Sequence, residues 1–240
     1  MKLALVNHSG NVGKSTLAKH MFLPRMKNAV LIPVESFNVN RSKDVENIGG
    51  DEFGDMMEFV NMKENVLVDV GSSNSGEFIR LMKQYRGSHK DFDYYLVPVN
   101  PGDKEEEDTI NTIDKLSKMG VPAEKIKVFF NIVPSTVTTK AKLKTLFSTI
   151  FADYEESKKF TIYPDGVIHE TEIFQKLKQM DNLKADIPVL AADETDYRAK
   201  LKQAKDEDER HELVRLISVQ GLAQSANENF DEVFKILFKK

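Results

Sequence analysis

The sequence contains no cysteine among its 240 residues. This absence excludes a disulfide framework, a thiolate metal site and a cysteine nucleophile, and it fits a reducing cytoplasm, where we expect the protein to reside. No apolar run approaches the roughly 18 residues needed to span a bilayer, and the N-terminal MKLALVNHSG is too short for a signal-peptide core. The five histidines show no metal-ligand spacing, and no nucleophile–histidine–acid set stands out.

The chain also lacks an excess of positive charge. Its net charge of -4 provides no overall attraction to nucleic acid. One local exception is TTKAKLKT (138–145), whose three lysines form either a phosphate-facing patch or, as is more frequent for such runs, a solvated helix face. With 40% hydrophobic and 30% charged residues, the composition is typical of a soluble globular protein.

Short apolar runs recur along the chain, separated by segments that favour helices. The runs are continuous rather than alternating, as expected for strands buried on both faces of a parallel sheet. They lie at 3–6, 29–34, 65–70, 94–99, 127–133 and 160–163, with helical candidates at 14–22, 76–85, 104–119 and 138–151. This alternation predicts a doubly wound α/β domain, with a mostly parallel sheet flanked by helices.

The character of the chain changes after about Pro188, where strand-like runs end. We therefore expect a sheet domain over 1–188 and a helical C-terminal extension over 189–240, with a break near Gly221. The extension either packs on the domain or forms a partner- or DNA-binding appendage. Its last segment, NFDEVFKILFKK, is amphipathic, but acidic residues on the polar face would be repelled by anionic lipid, which disfavours membrane attachment.

The stretch NHSGNVGKST (7–16) carries the chemistry. It ends as a Walker A loop does, although His8 stands where that pattern begins with glycine. Gly10 and Gly13 allow the backbone to curl so that successive N–H groups point at phosphate oxygens. The loop lies between an apolar run and a helical segment, which is the context that a nucleotide site requires. The stretch therefore predicts a triphosphate site.

The side chains after these glycines have defined roles in such a loop. Lys14 reaches the β- and γ-phosphates, Ser15 offers its hydroxyl to Mg²⁺, and Thr16 begins a helix whose N-terminus favours anions. Asp69 lies near the end of the run at 65–70 and is the candidate second Mg²⁺ residue, while the N–H of Gly71 is a candidate contact for the γ-phosphate. An Asp at a strand end is otherwise a common turn cap.

The glycine placement in SGNVGKST resembles the KGGxGK[ST] loop of the ParA and MinD ATPases. Over roughly residues 1–180 the chain resembles this superfamily of P-loop ATPases, and the strings NHSGNVGKST, LPRM and VES resemble plasmid stability proteins of the StbB type. In this match Ser9 stands at the signature lysine and Asn11 at the second glycine. The loop residues that the resemblance assigns to the nucleotide are Ser9, Gly10, Asn11, Val12, Gly13, Lys14, Ser15 and Thr16.

The resemblance implies two further site residues. Glu35 in LIPVESFNVN stands where the family positions the attacking water, with Pro33 at its first acidic position; a salt bridge or a Mg²⁺ shell role are the alternatives. Asn131 ends the fifth run, where the family uses an asparagine on the adenine edge; otherwise it is a turn former. YPDG (163–166) is a weaker candidate for a wall of the base pocket.

The implied function is an ATP-dependent switch with Mg²⁺, acting in plasmid stability, partition or DNA positioning. Such ATPases form nucleotide-dependent homodimers that engage DNA or a DNA-binding partner until slow, partner-stimulated hydrolysis releases them. Because Ser9 replaces the lysine that reaches the other subunit, the dimer depends on another basic residue such as Arg41 or Lys43. The alternative is a nucleotide-binding adaptor with negligible hydrolysis. A metabolic P-loop enzyme ranks last, since no substrate-binding residues are apparent.

Overall fold

The computed structural model of the protein describes residues 1–34, 53–179 and 186–239. These residues contain an all-parallel six-stranded sheet of order β2-β3-β1-β4-β5-β6. The strands are β1 (Lys2–Leu5), β2 (Val30–Val34), β3 (Val66–Val70), β4 (Tyr94–Val99), β5 (Ile126–Val133) and β6 (Thr161–His169). The predicted doubly wound α/β fold is confirmed.

Helices connect the strands and cover both faces of the sheet. The first, α1 (Lys14–Leu17), continues as a π-helical turn (Ala18–Phe22) and a 3-10 turn (Leu23–Arg25). The others are α2 (Phe53–Met62), α3 (Ser72–Gln84), α4 (Asp103–Lys118), α5 (Lys140–Leu146), α6 (Ser148–Ser157), α7 (Ile173–Lys178), α8 (Ile187–Ala191), α9 (Tyr197–Leu201) and α10 (Glu207–Phe238). Short 3-10 turns lie at Ser88–Asp91 and Ala123–Lys125.

The core consists of two apolar clusters separated by the sheet. Alternate residues of β3 show the division, because Val66, Val68 and Val70 join one cluster and Leu67 joins the other. The first cluster includes residues of α2, α3, α4 and α6, and the second includes residues of α1, α8 and α10. Burial on both faces explains why the strands lack the polar alternation of a half-exposed sheet.

The C-terminal segment departs from its predicted form. The expected break near Gly221 is wrong, because α10 runs without interruption for 32 residues. Val219, Ala223 and Ala226 keep helical spacing across the glycine and are buried. Their packing outweighs the roughly 1 kcal/mol that an interior glycine costs a helix.

The far end of α10 is held by a buried lysine. Lys127 at the start of β5 donates from Nζ to the carbonyl of Leu237 at 2.7 Å and to Tyr163 Oη at 2.6 Å. A cation at a helix C-terminus is favourably placed with respect to the helix dipole. Phe230, Val233 and Leu237, which form the apolar face of the terminal segment, are buried. Among the described residues, no helix has the length and apolarity needed to cross a membrane.

Two other elements differ from the sequence-based expectations. The helix predicted over 138–151 is divided into α5 and α6 at Phe147, a buried residue in contact with Phe130 at a ring distance of 4.6 Å. In β6, Ile162 pairs with Val128 and Val167 pairs with Phe130. The residues between, YPDG (163–166), therefore form an irregularity inside β6, which extends to His169, beyond the run predicted at 160–163.

Candidate functional site

The loop between β1 and α1 lies where the strand order reverses. β1 is flanked by β3 on one side and by β4 on the other. The chain adds β2 and β3 on the first side and then crosses to add β4, β5 and β6 on the second. In open parallel sheets, ligands bind at such a point, outside the carboxyl ends of the strands. The candidate loop therefore occupies the place in this fold where a binding crevice is expected.

The two glycines of the loop have different roles. Gly13 has φ +75°, and a Cβ placed on it would lie 2.8 Å from Asn131 Nδ2. Gly10 has no such conformation, and a Cβ there would meet Ser72 Oγ at an ordinary 3.5 Å. Both glycines were predicted to let the loop curl. Of the two, only Gly13 has the left-handed backbone conformation that favours glycine.

The loop presents a run of backbone donors. The N–H of His8 donates to Thr112 Oγ1 at 3.0 Å and the N–H of Ser9 to Asn7 Oδ1 at 2.9 Å. Among residues 1–34, 53–179 and 186–239, no acceptor faces the N–H groups of the next five residues, 10–14. Consecutive amides without protein acceptors form the kind of concavity that binds phosphate.

Lys14 is buried in the loop, with 5% of its surface exposed. Its Nζ donates to the carbonyl oxygens of Asn7 at 3.0 Å and Ser9 at 2.8 Å. Burial lowers the pKa of Lys14 to about 8, and the negative charge of Asp69 opposes this shift. Asp69, in register with Leu5 of β1, is 6% exposed. The predicted phosphate-binding lysine and the predicted magnesium carboxylate thus share one site.

Ser15 and Asp69 fit the requirements of magnesium. Ser15 is exposed in the first turn of α1, directly after Lys14, and both side chains offer oxygen. In the parts of the chain that the structure describes, no three His, Cys, Asp or Glu side chains assemble into a self-contained metal site. Magnesium at phosphate sites uses one or two protein oxygens and takes the rest from phosphates and water.

A polar network behind the loop was not anticipated from the sequence. Lys115 Nζ lies 2.6 Å from His8 Nε2, and His8 Nδ1 lies 3.0 Å from Thr112 Oγ1. The ammonium donates to Nε2, so the histidine proton is on Nδ1. Asn7 Nδ2 donates to Thr109 Oγ1 at 2.8 Å. The only sequence signal was the spacing of Thr109, Thr112 and Lys115, three residues apart on α4.

This network predicts acid sensitivity. Burial, with a further contribution from the Lys115 charge, lowers the pKa of His8 from 6.5. Below about pH 6.5 the unfolded chain therefore binds a proton at His8 that the folded chain does not. The free energy of unfolding consequently decreases as the pH is lowered. We expect His8→Gln to reduce the fall in unfolding free energy between pH 7 and 5, measured by urea titration. His211→Gln, on the exposed surface of α10, is the control; equal acid sensitivity of both variants would contradict the prediction.

The end of β2 meets the start of α3 beside the loop. The N–H of Gly71 donates to the Val34 carbonyl at 3.0 Å, and Asn74 Nδ2 donates to the same oxygen at 3.1 Å. The amide predicted to contact the γ-phosphate is therefore hydrogen-bonded to β2 in this structure. Glu35, which follows Val34, lies outside the described residues, as do Arg41 and Lys43.

A cavity of about 200 Å³ opens beside the loop. Asn131, predicted to contact the base, lies at its edge, is 5% exposed, and donates from Nδ2 to the Val12 carbonyl at 2.9 Å. The lining residues are Gly13, Thr16, Leu17, Asn131, Ile132, Ile168, His169, Glu170, Thr171, Phe174 and Phe230. The YPDG segment is not among the residues that line this cavity, and its role as a wall of the base pocket stays a prediction. Phe174 and Phe230, from α7 and α10, were missed.

The lysines of TTKAKLKT are engaged individually. Lys140 pairs with Asp165 at 2.8 Å and Lys144 with Glu155 at 2.7 Å, while Lys142 donates to the Thr136 carbonyl at 3.0 Å. Because carboxylates neutralise two of these charges, the structure favours a solvated helix face over a phosphate-facing patch.

Comparison with known proteins identifies the fold. No family model and no curated protein matches the sequence. A solved structure that matches is the MinD cell division protein of Aquifex aeolicus, with a TM-score of 0.50 and 15% identity over 90% of this chain and 94% of that one. At this identity the match concerns the fold alone. The protein has a ParA/MinD-like α/β fold, in which helices flank a parallel sheet and form the C-terminal segment.

Proposed function

We propose that the protein is an ATP-binding switch of the ParA/MinD type that hydrolyses ATP slowly. The observation that carries the proposal is the ammonium of Lys14, which is buried among loop carbonyls. It lies next to a run of amides for which the described part of the chain supplies no acceptor. Burial penalises this charge. A triphosphate would add negative charge next to the Lys14 ammonium, and the amides of residues 10–14 would donate to its oxygens.

The cavity beside Gly13 is the proposed adenine site. Leu17, Phe174 and Phe230 supply apolar surface, which suits a flat aromatic ring, and Asn131 supplies a carboxamide at the edge. Pockets with apolar walls and a few polar groups are typical of such ligands. That the base is adenine rests on the resemblance of the loop to the ParA and MinD ATPases.

The catalytic assignment follows the same loop. Ser15 and Asp69 would hold magnesium, which supplies positive charge to the phosphates when it is bound. Lys14 would bind the β- and γ-phosphates, and Glu35 would orient the attacking water. For the Gly71 amide to contact the γ-phosphate, its hydrogen bond to the Val34 carbonyl must break and be replaced by one to the ligand.

The proposed cellular role is plasmid stability, partition or DNA positioning in the cytoplasm. It rests on the resemblance of NHSGNVGKST, LPRM and VES to StbB-type proteins. In this role two subunits would associate when ATP is bound and engage DNA through a DNA-binding partner protein. Hydrolysis to ADP, stimulated by that partner, would end the engagement.

One observation favours the alternative of an adaptor that hydrolyses ATP negligibly. Ser9, at the position of the signature lysine, is 5% exposed. Its N–H donates to Asn7 and its carbonyl accepts from Lys14, so the residue faces inward. A short, buried side chain does not reach the phosphates of a second subunit. A sandwich dimer would therefore need a cation from another residue, whereas an adaptor that does not dimerise around ATP would need none.

Molecular mass in solution tests the switch. We expect a monomer without nucleotide or with Mg-ADP, and a dimer with Mg-ATP that is longer-lived in Glu35→Ala because hydrolysis is slowed. The measurement is light scattering after size-exclusion chromatography, with Glu156→Ala, an exposed carboxylate on α6, as the matched control. A mass unchanged by Mg-ATP, with binding confirmed by calorimetry, would refute the dimer. The absence of ATP turnover with DNA or partner would then select the adaptor.

A further inference from the structure

Ile132 has an unusual backbone conformation. Its φ is +53°, in the left-handed region that branched residues rarely adopt. It is also the one exposed residue of β5, with 44% of its surface accessible, and it belongs to neither apolar cluster of the described core. An isoleucine that is strained and exposed contributes little to the stability of the fold.

A bulge produces this conformation. Phe130 pairs with Val167 and Val133 with His169, so three steps along β5 correspond to two along β6. A bulge of this kind changes the direction of a side chain, and bulges are frequent beside functional sites. Here it places Ile132 at the cavity next to Asn131, where Phe174 and Phe230 also lie.

The other left-handed residues do not share this arrangement. Among the described residues, Asn28 and Lys158 are the remaining non-glycine positions with positive φ, both at 53°. Lys158 is the C-cap of α6, where a left-handed residue commonly ends a helix. Ile132 ends no helix, and strain without such a reason is characteristic of ligand sites.

We infer that Ile132 packs against the face of the purine in the 200 Å³ cavity and sets the affinity for the base, an inference that rests on the proposed nucleotide site. The exposed part of the side chain leaves water when the ring enters, which favours binding. The bulge holds the side chain in place beforehand, so little conformational freedom is lost on binding. The phosphates are bound elsewhere, by residues 10–14.

Ile132→Gly separates this role from a structural one. Glycine adopts positive φ without strain, so we expect the melting temperature to rise by about 2–4 °C. We expect Mg-ATP to bind about tenfold more weakly by calorimetry, since an apolar contact is lost. Binding of Mg-tripolyphosphate, which has no base, should not change. Lys158→Gly is the matched control and should raise the melting temperature without changing ATP affinity.

The outcomes distinguish this inference from the proposed function. Equal ATP affinity of wild type and Ile132→Gly would overturn the role of Ile132 and leave the nucleotide site standing. Equal weakening of ATP and tripolyphosphate, or a lower melting temperature, would also overturn it, because the effect would then be structural. Failure of the wild type to bind either ligand would overturn the proposed function itself. Ile132→Asn, which tolerates positive φ, should repeat the selective loss.

Discussion

Lys14→Met should weaken Mg-ATP binding at least about 100-fold, because it removes the buried cation that we propose to contact the β- and γ-phosphates. Methionine matches the length of lysine and avoids a cavity. The measurement is the dissociation constant by calorimetry at pH 7. The matched control is Lys19→Met, on the helical segment that follows the loop, whose ammonium is exposed and pairs with Asp186 at 3.1 Å. Unchanged ATP affinity of Lys14→Met would refute the proposed site.

The same variant should show a distinct pH dependence of stability. Burial lowers the pKa of Lys14 from 10.5 to about 8 in the folded protein. Between these values the unfolded chain holds a proton that the folded chain has released, so wild type gains stability as pH rises. Relative to Lys14→Met, the gain should reach about 3 kcal/mol by pH 10.5, measured by urea titration. A constant difference between the two proteins from pH 7 to 10.5 would contradict it.

Gly13→Ala should destabilise the protein by about 2 kcal/mol, of which the left-handed backbone accounts for about 1–2 kcal/mol. The rest follows because the new Cβ would lie 2.8 Å from Asn131 Nδ2 and would displace the hydrogen bond to Val12. The expected fall in melting temperature is about 4–8 °C. ATP binding should weaken as well, since the amides of the loop and the edge of the cavity both move.

Gly10→Ala is the matched control for this prediction. Its Cβ would meet Ser72 Oγ at 3.5 Å, and its backbone is not left-handed. We expect its melting temperature to stay within about 2 °C of wild type, as for a substitution without a clash. An equal loss of stability in the two variants would show that strain at Gly13 is not the cause.

Much of the fold could be predicted from local patterns. Runs such as VLVDV are buried at every position and apolar at all but Asp69, because both faces of the sheet are covered. This signal requires no knowledge of distant residues. The ends of the helices were predicted less accurately than the strands, because tertiary contacts set them. Phe147 ends α5 by packing on Phe130, and Val219 and Ala223 carry α10 across Gly221. Local propensity differs by about 1 kcal/mol per residue and is outweighed by such packing.

For the candidate site, the sequence by itself determined the order of a strand, a glycine-containing loop with Lys14 and Ser15, and a later strand with Asp69 near its end. The chemistry of these residue types depends on neighbours in the chain. Only the tertiary structure decided that Gly13 is the left-handed glycine, that Lys115 contacts His8, and that Phe230 reaches the cavity. These contacts join residues about a hundred or more positions apart. They form because distant segments bury each other's side chains, and a local sequence pattern does not encode that burial.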